Sequence, residues 1–412
     1  MKKIFLILGM HRSATSLTAG ILYSYGMYAG EEEDLLEANK DNQHGFFENK
    51  NIFLLDEMVW CEHGIYSSAD ISKNINLINN TKYANEIGDI VQNLVANSSK
   101  EQDIFIKDPR MCVTGPVWIK EIQKYELEEN IIVVFRHPYE VAKSLQKRDN
   151  MNFIYALKLW FYYNLSILNC IADLDIPVLV LNHEDYFNSK TIQLSKLENF
   201  IQYTDTENKA GSFVDTSLRH NIAGNIDRPV NNELEEMVFK LYDYLISLSE
   251  SSIVTVTKDR LKQYEIYLEK MACTSYEEGQ EDMFHRQIKD IKGREKKVWC
   301  TYQLYNKKDI LILKFKDFFR KYKARKIYIY GDGTVTEVLV PVLNGAGISI
   351  KKIIDKNKKG YMDDLQNSET QTYILNTVVN FGDSVSEYLY NYFEAEFILD
   401  IYNLLHRLLD VA

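Results

Sequence analysis

Short apolar runs rich in β-branched residues alternate, over the first half of the chain, with stretches whose apolar positions recur every three or four residues. The pattern predicts strand 4–9, helix 15–27, a polar loop 30–45, helices around 49–60 and 82–97, strand 103–107, helix 116–125, strand 131–135, helix 138–147, a long aromatic helix 152–172 and strand 177–182. Strand and helix signals alternating in this way imply an α/β fold, a parallel sheet with helices on both faces. Loops leaving the carboxyl ends of such strands are where ligands bind. The first of them, Gly9–Ser16, follows the buried-strand run Ile4–Leu8 and opens a helix.

From about 231 to 323 the sequence becomes helical and charged, with few strand signals. Within it, Asp309–Lys323 interleaves Ile310, Leu313, Phe315, Phe318, Phe319 and Tyr322 with Lys314, Lys316, Arg320 and Lys321. Its functional reading is peripheral contact with an anionic membrane surface; its structural reading, a connecting helix packed on a neighbour, is the better supported. A third region starts at Lys326, where strand, Gly331-Asp-Gly333 turn, helix, strand and Asp355 follow the opening of a dinucleotide-binding unit, with Thr336 in place of the third Gly. Strands at Thr372–Leu375 and Glu396–Leu399 complete a small Rossmann-like module, read either as a nucleotide site or as a docking module. The expected organisation is therefore a domain over 1–250, a helical connector over 251–323 and a Rossmann-like α/β domain over 324–412.

At 412 residues, 46% hydrophobic and without low-complexity tracts, the chain is long enough for two folded cores. A net charge of −11 gives no support to nucleic-acid binding, so an anionic ligand has to be held by local cations. Five scattered cysteines without CxxC spacing indicate neither a disulfide framework nor a zinc site, and no metal is expected. The five-residue apolar run after Lys2-Lys3 enters His11-Arg12 without a cleavage site, and nothing approaches ~20 uninterrupted apolar residues. These features fit a cytoplasmic protein, at the inner face of the membrane if the amphipathic stretch acts there.

The first loop has the form of an anion site. The leading amides of a helix lack internal partners and carry the positive end of the helix dipole; Ser13, Thr15 and Ser16 add hydroxyls and Arg12 a charge. Counted from Gly9, however, Ala14 and Thr15 stand where a nucleoside-triphosphatase loop requires Gly and Lys. A kinase reading is weakened by that substitution. An Arg without that Lys suits a monoanionic group on a nucleotide. A second segment, Ile131–Ser144, repeats the design with an apolar strand, Arg136 at its end and Pro138 opening a helix.

The pair Gly-Met-His-Arg-Ser-Ala-Thr-Ser (9–16) and Phe-Arg-His-Pro-Tyr-Glu-Val-Ala-Lys-Ser (135–144) resembles the PAPS-dependent sulfotransferase family in its bacterial form, over roughly residues 1–250. Lys107-Asp108-Pro109-Arg110 and Gly45-Phe46-Phe47-Glu48 resemble further segments of that family. The resemblance implies a P-loop-like three-layer α/β/α domain that uses PAPS as sulfuryl donor, releases PAP and needs no metal. It implies that His11, Arg12, Ser13, Ala14, Thr15 and Ser16 line the 5′-phosphosulfate, with Arg12 against its bridging oxygen. Arg136 and Ser144 would take the 3′-phosphate, and Arg219 lies in a loop that resembles a late phosphate-binding loop of the family. Ala14 departs from the family's usual Gly and sets a methyl group beside the phosphosulfate.

Glu48 is the first candidate for the base that accepts the acceptor's proton, with Lys107 on the transferring sulfuryl oxygens and His44 in reserve. Glu48 is equally explained as a first-turn acid of a helix opening near Asn49. Trp160, Phe161, Tyr162 and Tyr163 read as core. The acceptor is expected to be a small molecule or glycan, by analogy a cell-surface carbohydrate or glycolipid, lying on Phe46, Phe47, Phe53 and Trp60 if those are not core. A P-loop small-molecule kinase and a non-catalytic nucleotide-binding scaffold in glycan assembly are the alternatives. The oligomeric state is not legible in the residues.

Overall fold

In the computed structural model, β1 (Lys2–Leu8), β2 (Ile104–Lys107), β3 (Leu127–Phe135) and β4 (Val178–Asn182) form a parallel sheet in the order β2-β1-β3-β4. The structure describes residues 1–38, 45–65, 77–149, 151–214, 232–274, 296–321, 326–331, 333–354, 372–377 and 398–409. These fall into two units, Met1–Gly279 and Gln280–Ala412. The first contains α1 (Thr15–Ser24), α2 (Lys50–Glu62), α3 (Ala84–Asn97), α4 (Met111–Ile122), α5 (Pro138–Asp149) and α6 (Phe153–Ile171). After β4 come α7 (Asp185–Asn188), α8 (Lys190–Ile201), α9 (Lys209–Phe213), α10 (Glu233–Glu250) and α11 (Lys258–Thr274).

Register fixes where the loops emerge. Ile7 lies beside Lys107, Leu8 beside Val133 and Phe135 beside Asn182, so the strands end nearly level. The chain crosses from β1 to β2 on one side and from β3 to β4 on the other, which puts the switch point of the sheet between β1 and β3. Both segments singled out in the sequence leave the sheet there. One face of the sheet, with Phe5, Ile7, Phe105, Ile132, Val134 and Leu181, is buried under Ala19, Ile21 and Leu22 of α1 and Leu197 and Ile201 of α8. α4 covers β1 and β3 on the other face, backed by α6, which also packs on α5, α10 and α11. The α/β class and the parallel sheet expected from the sequence are what the structure has.

Two boundaries differ from expectation for local reasons. α1 stops at Ser24 rather than 27 because Gly26, at φ +87°, allows the Gly26 amide to bond the Tyr23 carbonyl (2.9 Å) and the Met27 amide the Leu22 carbonyl (3.2 Å). α4 spans 111–122 instead of 116–125: it is started by the Asp108–Arg110 turn, with the Met111 amide on the Asp108 carbonyl (3.1 Å), and it carries Pro116 in its interior. α7, α8 and α9 were not expected from the pattern.

In the second unit, β5 (Lys326–Tyr330), β6 (Ile350–Ile354), β7 (Thr372–Asn376) and β8 (Ile398–Asp400) make another parallel sheet, ordered β6-β5-β7-β8. Residues 296–306 form α12, followed by α13 (Lys308–Lys321), α14 (Thr334–Gly345) and α15 (Ile401–Leu409). Thr336, at the third-glycine position, is buried; its hydroxyl bonds the Gly331 carbonyl (2.7 Å) and the Thr377 hydroxyl (2.7 Å). Asp355 lies outside the described residues. α13 buries Leu311, Phe315, Phe318 and Phe319 and packs on α14 and α15, leaving Ile310 and Leu313 exposed.

Candidate active site

The loop after β1 is tightly prescribed. A Cβ on Gly9 would lie 2.5 Å from Thr15 Cγ2 and 2.6 Å from the Val134 carbonyl oxygen, so only glycine lets the loop turn so close to β3. Arg12 and Ala14 both adopt left-handed backbone (φ 70° and 71°), a conformation that costs an L-residue roughly 1–2 kcal/mol. Ala14 is the residue before α1, which has no side-chain cap and no acid in its first turn. Ser13 is fully buried, and its hydroxyl has no hydrogen-bond partner. A buried hydroxyl without a partner is unfavourable unless something else bonds it, which is the condition an anion in the loop would meet.

The second segment closes on this loop. Arg12 Nε donates to Ser144 Oγ on α5 at 2.9 Å, and Arg136 Nη1 donates to the Arg12 carbonyl at 3.3 Å. Arg136 is itself set by the buried Glu140 carboxylate, 2.7 Å from its Nε, and by Trp160, whose Nε1 donates to the Arg136 carbonyl at 2.9 Å. His137 accepts the Tyr139 amide at Nδ1 (3.2 Å), a local bond at the start of α5. His11 meets the Tyr163 ring edge-on at 5.3 Å. Burial, then the positive charges of Arg148, Arg110 and Arg12, pull the His11 imidazole down to about 3 against the opposing Asp149, so it is neutral near pH 7.

The third element is β2. Lys107, 2% exposed at the strand end, forms a buried ion pair with Glu48, and its Nζ also donates to Ser16 Oγ of the first loop (3.1 Å) and to the Phe46 carbonyl (3.3 Å). Glu48 is therefore not a first-turn acid of α2: the cap is Asn49, whose side chain accepts the Asn51 amide at 2.9 Å, and the Glu48 carboxylate turns to Lys107 instead. Phe47, at φ 53°, packs against Tyr23 and Phe213, and Trp60 is buried.

Asp108 and Arg110 behave differently from Lys107. Asp108 Oδ1 accepts the Arg110 amide (2.7 Å) and Nη1 (3.0 Å), Arg110 Nε donates to Glu57 (2.7 Å), and the Phe53 ring lies over the guanidinium at 4.3 Å. This closes the turn on itself and straps β2 to α2. Beside it the fully buried Asp56 accepts Thr114 Oγ1 (2.7 Å) and Trp118 Nε1 (2.8 Å) at Oδ1, while its Oδ2 is without a partner. Burial, reinforced by the charge of Asp108, raises the Asp56 carboxyl, and burial likewise raises Asp108 against the pull of Arg110. Sequence reasoning passed over Asp56 and Glu57; the signal was two adjacent acids inside the apolar run Ile52–Trp60.

Thus the fold brings together His11, Arg12, Ser13, Ala14, Thr15, Ser16, Glu48, Lys107, Arg136 and Ser144. Arg219 and His44 lie outside the described residues. Among the described residues no group of three or more His, Cys, Asp or Glu side chains is placed to hold a metal ion, and no helix is long and apolar enough to cross a membrane.

No protein-family model and no curated protein matches the chain. Two solved structures similar to it are a "Sulfotransferase Domain from the Curacin Biosynthetic Pathway" (14% identity, TM-score 0.31) and a "Sulfotransferase Domain from the Synechococcus PCC 7002 Olefin Synthase" (16%, 0.34). Each alignment covers 65% of this chain, with 98% and 96% of the respective domains. Likeness at this level carries no weight for function.

Proposed function

We propose that the first unit is a PAPS-dependent sulfotransferase acting on a hydroxyl or an amine of a carbohydrate or glycolipid. The observation that carries the proposal is the joining of the two strand-end segments, with Arg12 on Ser144 and Arg136 on the Arg12 backbone at the switch point of the sheet. Two guanidiniums and a hydroxyl converging on an uncapped helix start suit a ligand with phosphates at two positions. The partnerless Ser13 hydroxyl fits the same ligand.

PAPS, when bound, supplies a sulfuryl group on a phosphate leaving group; sulfur bonds to the acceptor oxygen or nitrogen as its bond to the bridging oxygen breaks. The residues divide that work. Ser13, Thr15, Ser16 and the first amides of α1 hold the 5′-phosphate, and Arg12 offsets the charge left on the bridging oxygen. Arg136 and Ser144 take the 3′-phosphate, with Glu140 fixing the aim of Arg136. Lys107 binds sulfuryl oxygens, and Glu48 accepts the acceptor's proton. The half-buried Phe46 and Phe53 support a sugar ring as acceptor.

Calorimetric titration of the protein with PAP, AMP and Mg-ATP tests this reading. PAP should bind and AMP, lacking the 3′-phosphate, should bind far more weakly. Binding of Mg-ATP in preference to PAP would replace it with a small-molecule kinase, and binding of none of the three would leave a scaffold.

A further inference from the structure

Lys107 occupies an unusual position between the two halves of the site. Its ammonium touches the first loop at Ser16 Oγ (3.1 Å), the acceptor-side segment at the Phe46 carbonyl (3.3 Å), and the Glu48 carboxylate in a buried ion pair. The group that would bind sulfuryl oxygens is thus already engaged by the group that would accept the proton. With Lys107 2% and Glu48 6% exposed, water does not screen the pair. Breaking it without replacement leaves a buried charge uncompensated, which is strongly unfavourable.

Resting on the sulfotransferase reading, we propose that the Lys107–Glu48 pair is a latch that couples donor and acceptor binding. Sulfuryl oxygens draw on Lys107 only as Glu48 lets go of it, and Glu48 lets go only when an acceptor hydroxyl arrives to donate to its carboxylate. Acceptor and donor therefore strengthen each other's binding by the same factor. Without acceptor the latch stays closed: Lys107 gives the sulfuryl group little, and Glu48 is not available to take a proton from water. No covalent step is added; the latch decides when the transfer residues are free to act.

The latch predicts how the sulfuryl group contributes to affinity, measured as the ratio of PAP to PAPS dissociation constants in the absence of acceptor. For the unaltered protein the ratio should be near one. Glu48→Ala frees Lys107 and should raise it about tenfold; Glu48→Gln, which preserves shape and guards against a folding defect, should raise it in the same direction. Adding Lys107→Met to Glu48→Ala should bring it back near one. A ratio that Glu48→Ala and Glu48→Gln both leave unchanged overturns the latch while PAP binding upholds the site. Absence of PAP binding to the unaltered, folded protein removes the sulfotransferase reading itself.

Discussion

Arg12 Nε and Ser144 Oγ lie 2.9 Å apart across 132 residues of sequence, and this bond joins the loop after β1 to the helix after β3. It makes one site of two motifs that look alike in sequence because each is a strand end turning into a helix. Arg136 reinforces the junction from its other side through the Arg12 carbonyl.

The Arg136 side chain is paired with the buried Glu140, so its removal has two effects that can be separated. Arg136→Ala removes the guanidinium that the buried Glu140 carboxylate meets at 2.7 Å and should destabilise the fold by about 3 kcal/mol. The Arg136→Ala/Glu140→Ala double variant should regain most of that stability in urea denaturation, yet still bind PAP no better than AMP by calorimetry. Recovery of PAP selectivity along with stability would remove Arg136 from the 3′-phosphate.

Ala14 gives a prediction of opposite sign. Its φ of 71° is one glycine adopts freely and alanine does not. Ala14→Gly should stabilise the first unit by about 1 kcal/mol, read as a higher urea midpoint at unchanged slope. A lower midpoint would mean that the loop does not relax into the left-handed turn.

The strands were readable because β1 and β3 are buried on both faces, and their runs Ile4–Leu8 and Ile131–Phe135 have no polar interruption. Arg12 and Arg136 stand at strand ends that the pattern located, whereas Ser144 entered through the resemblance. What escaped depends on pairings that no local pattern holds. Lys107 and Glu48 are 59 positions apart, so Glu48 read equally well as a helix-start acid. Asp56 and Asp108 likewise show their interaction only once α2 lies on α4. The start of α4 was missed because the expected helix began at Pro116, which in fact stands well inside the helix.

Glu48→Gln separates binding from chemistry. The amide keeps the side-chain volume, and PAP carries no sulfuryl group for Lys107 to bind, so PAP affinity should stay within about twofold. Loss of the proton acceptor should lower the single-turnover rate of sulfuryl transfer by ~10²–10⁴. An unchanged rate would assign the base to another group.

Asp56 makes stability fall as pH rises. Burial and the neighbouring Asp108 raise its carboxyl, so the native protein keeps a proton that the unfolded chain releases above about pH 4. Between that pH and the raised native value the native state binds more protons, and stability must fall as pH rises, by up to about 1.4 kcal/mol per pH unit for one proton. Asp56→Asn is neutral throughout and its side-chain oxygen still accepts from Thr114 and Trp118, so this loss should be absent. It also relieves Asp108 of a neighbouring charge at high pH, which acts in the same direction. Urea denaturation from pH 5 to 8 should therefore show the variant gaining steadily on the unaltered protein. A stability difference that stays constant across that range would mean that Asp56 is ionised in the native state, with its Oδ2 bonded by a group other than its own proton.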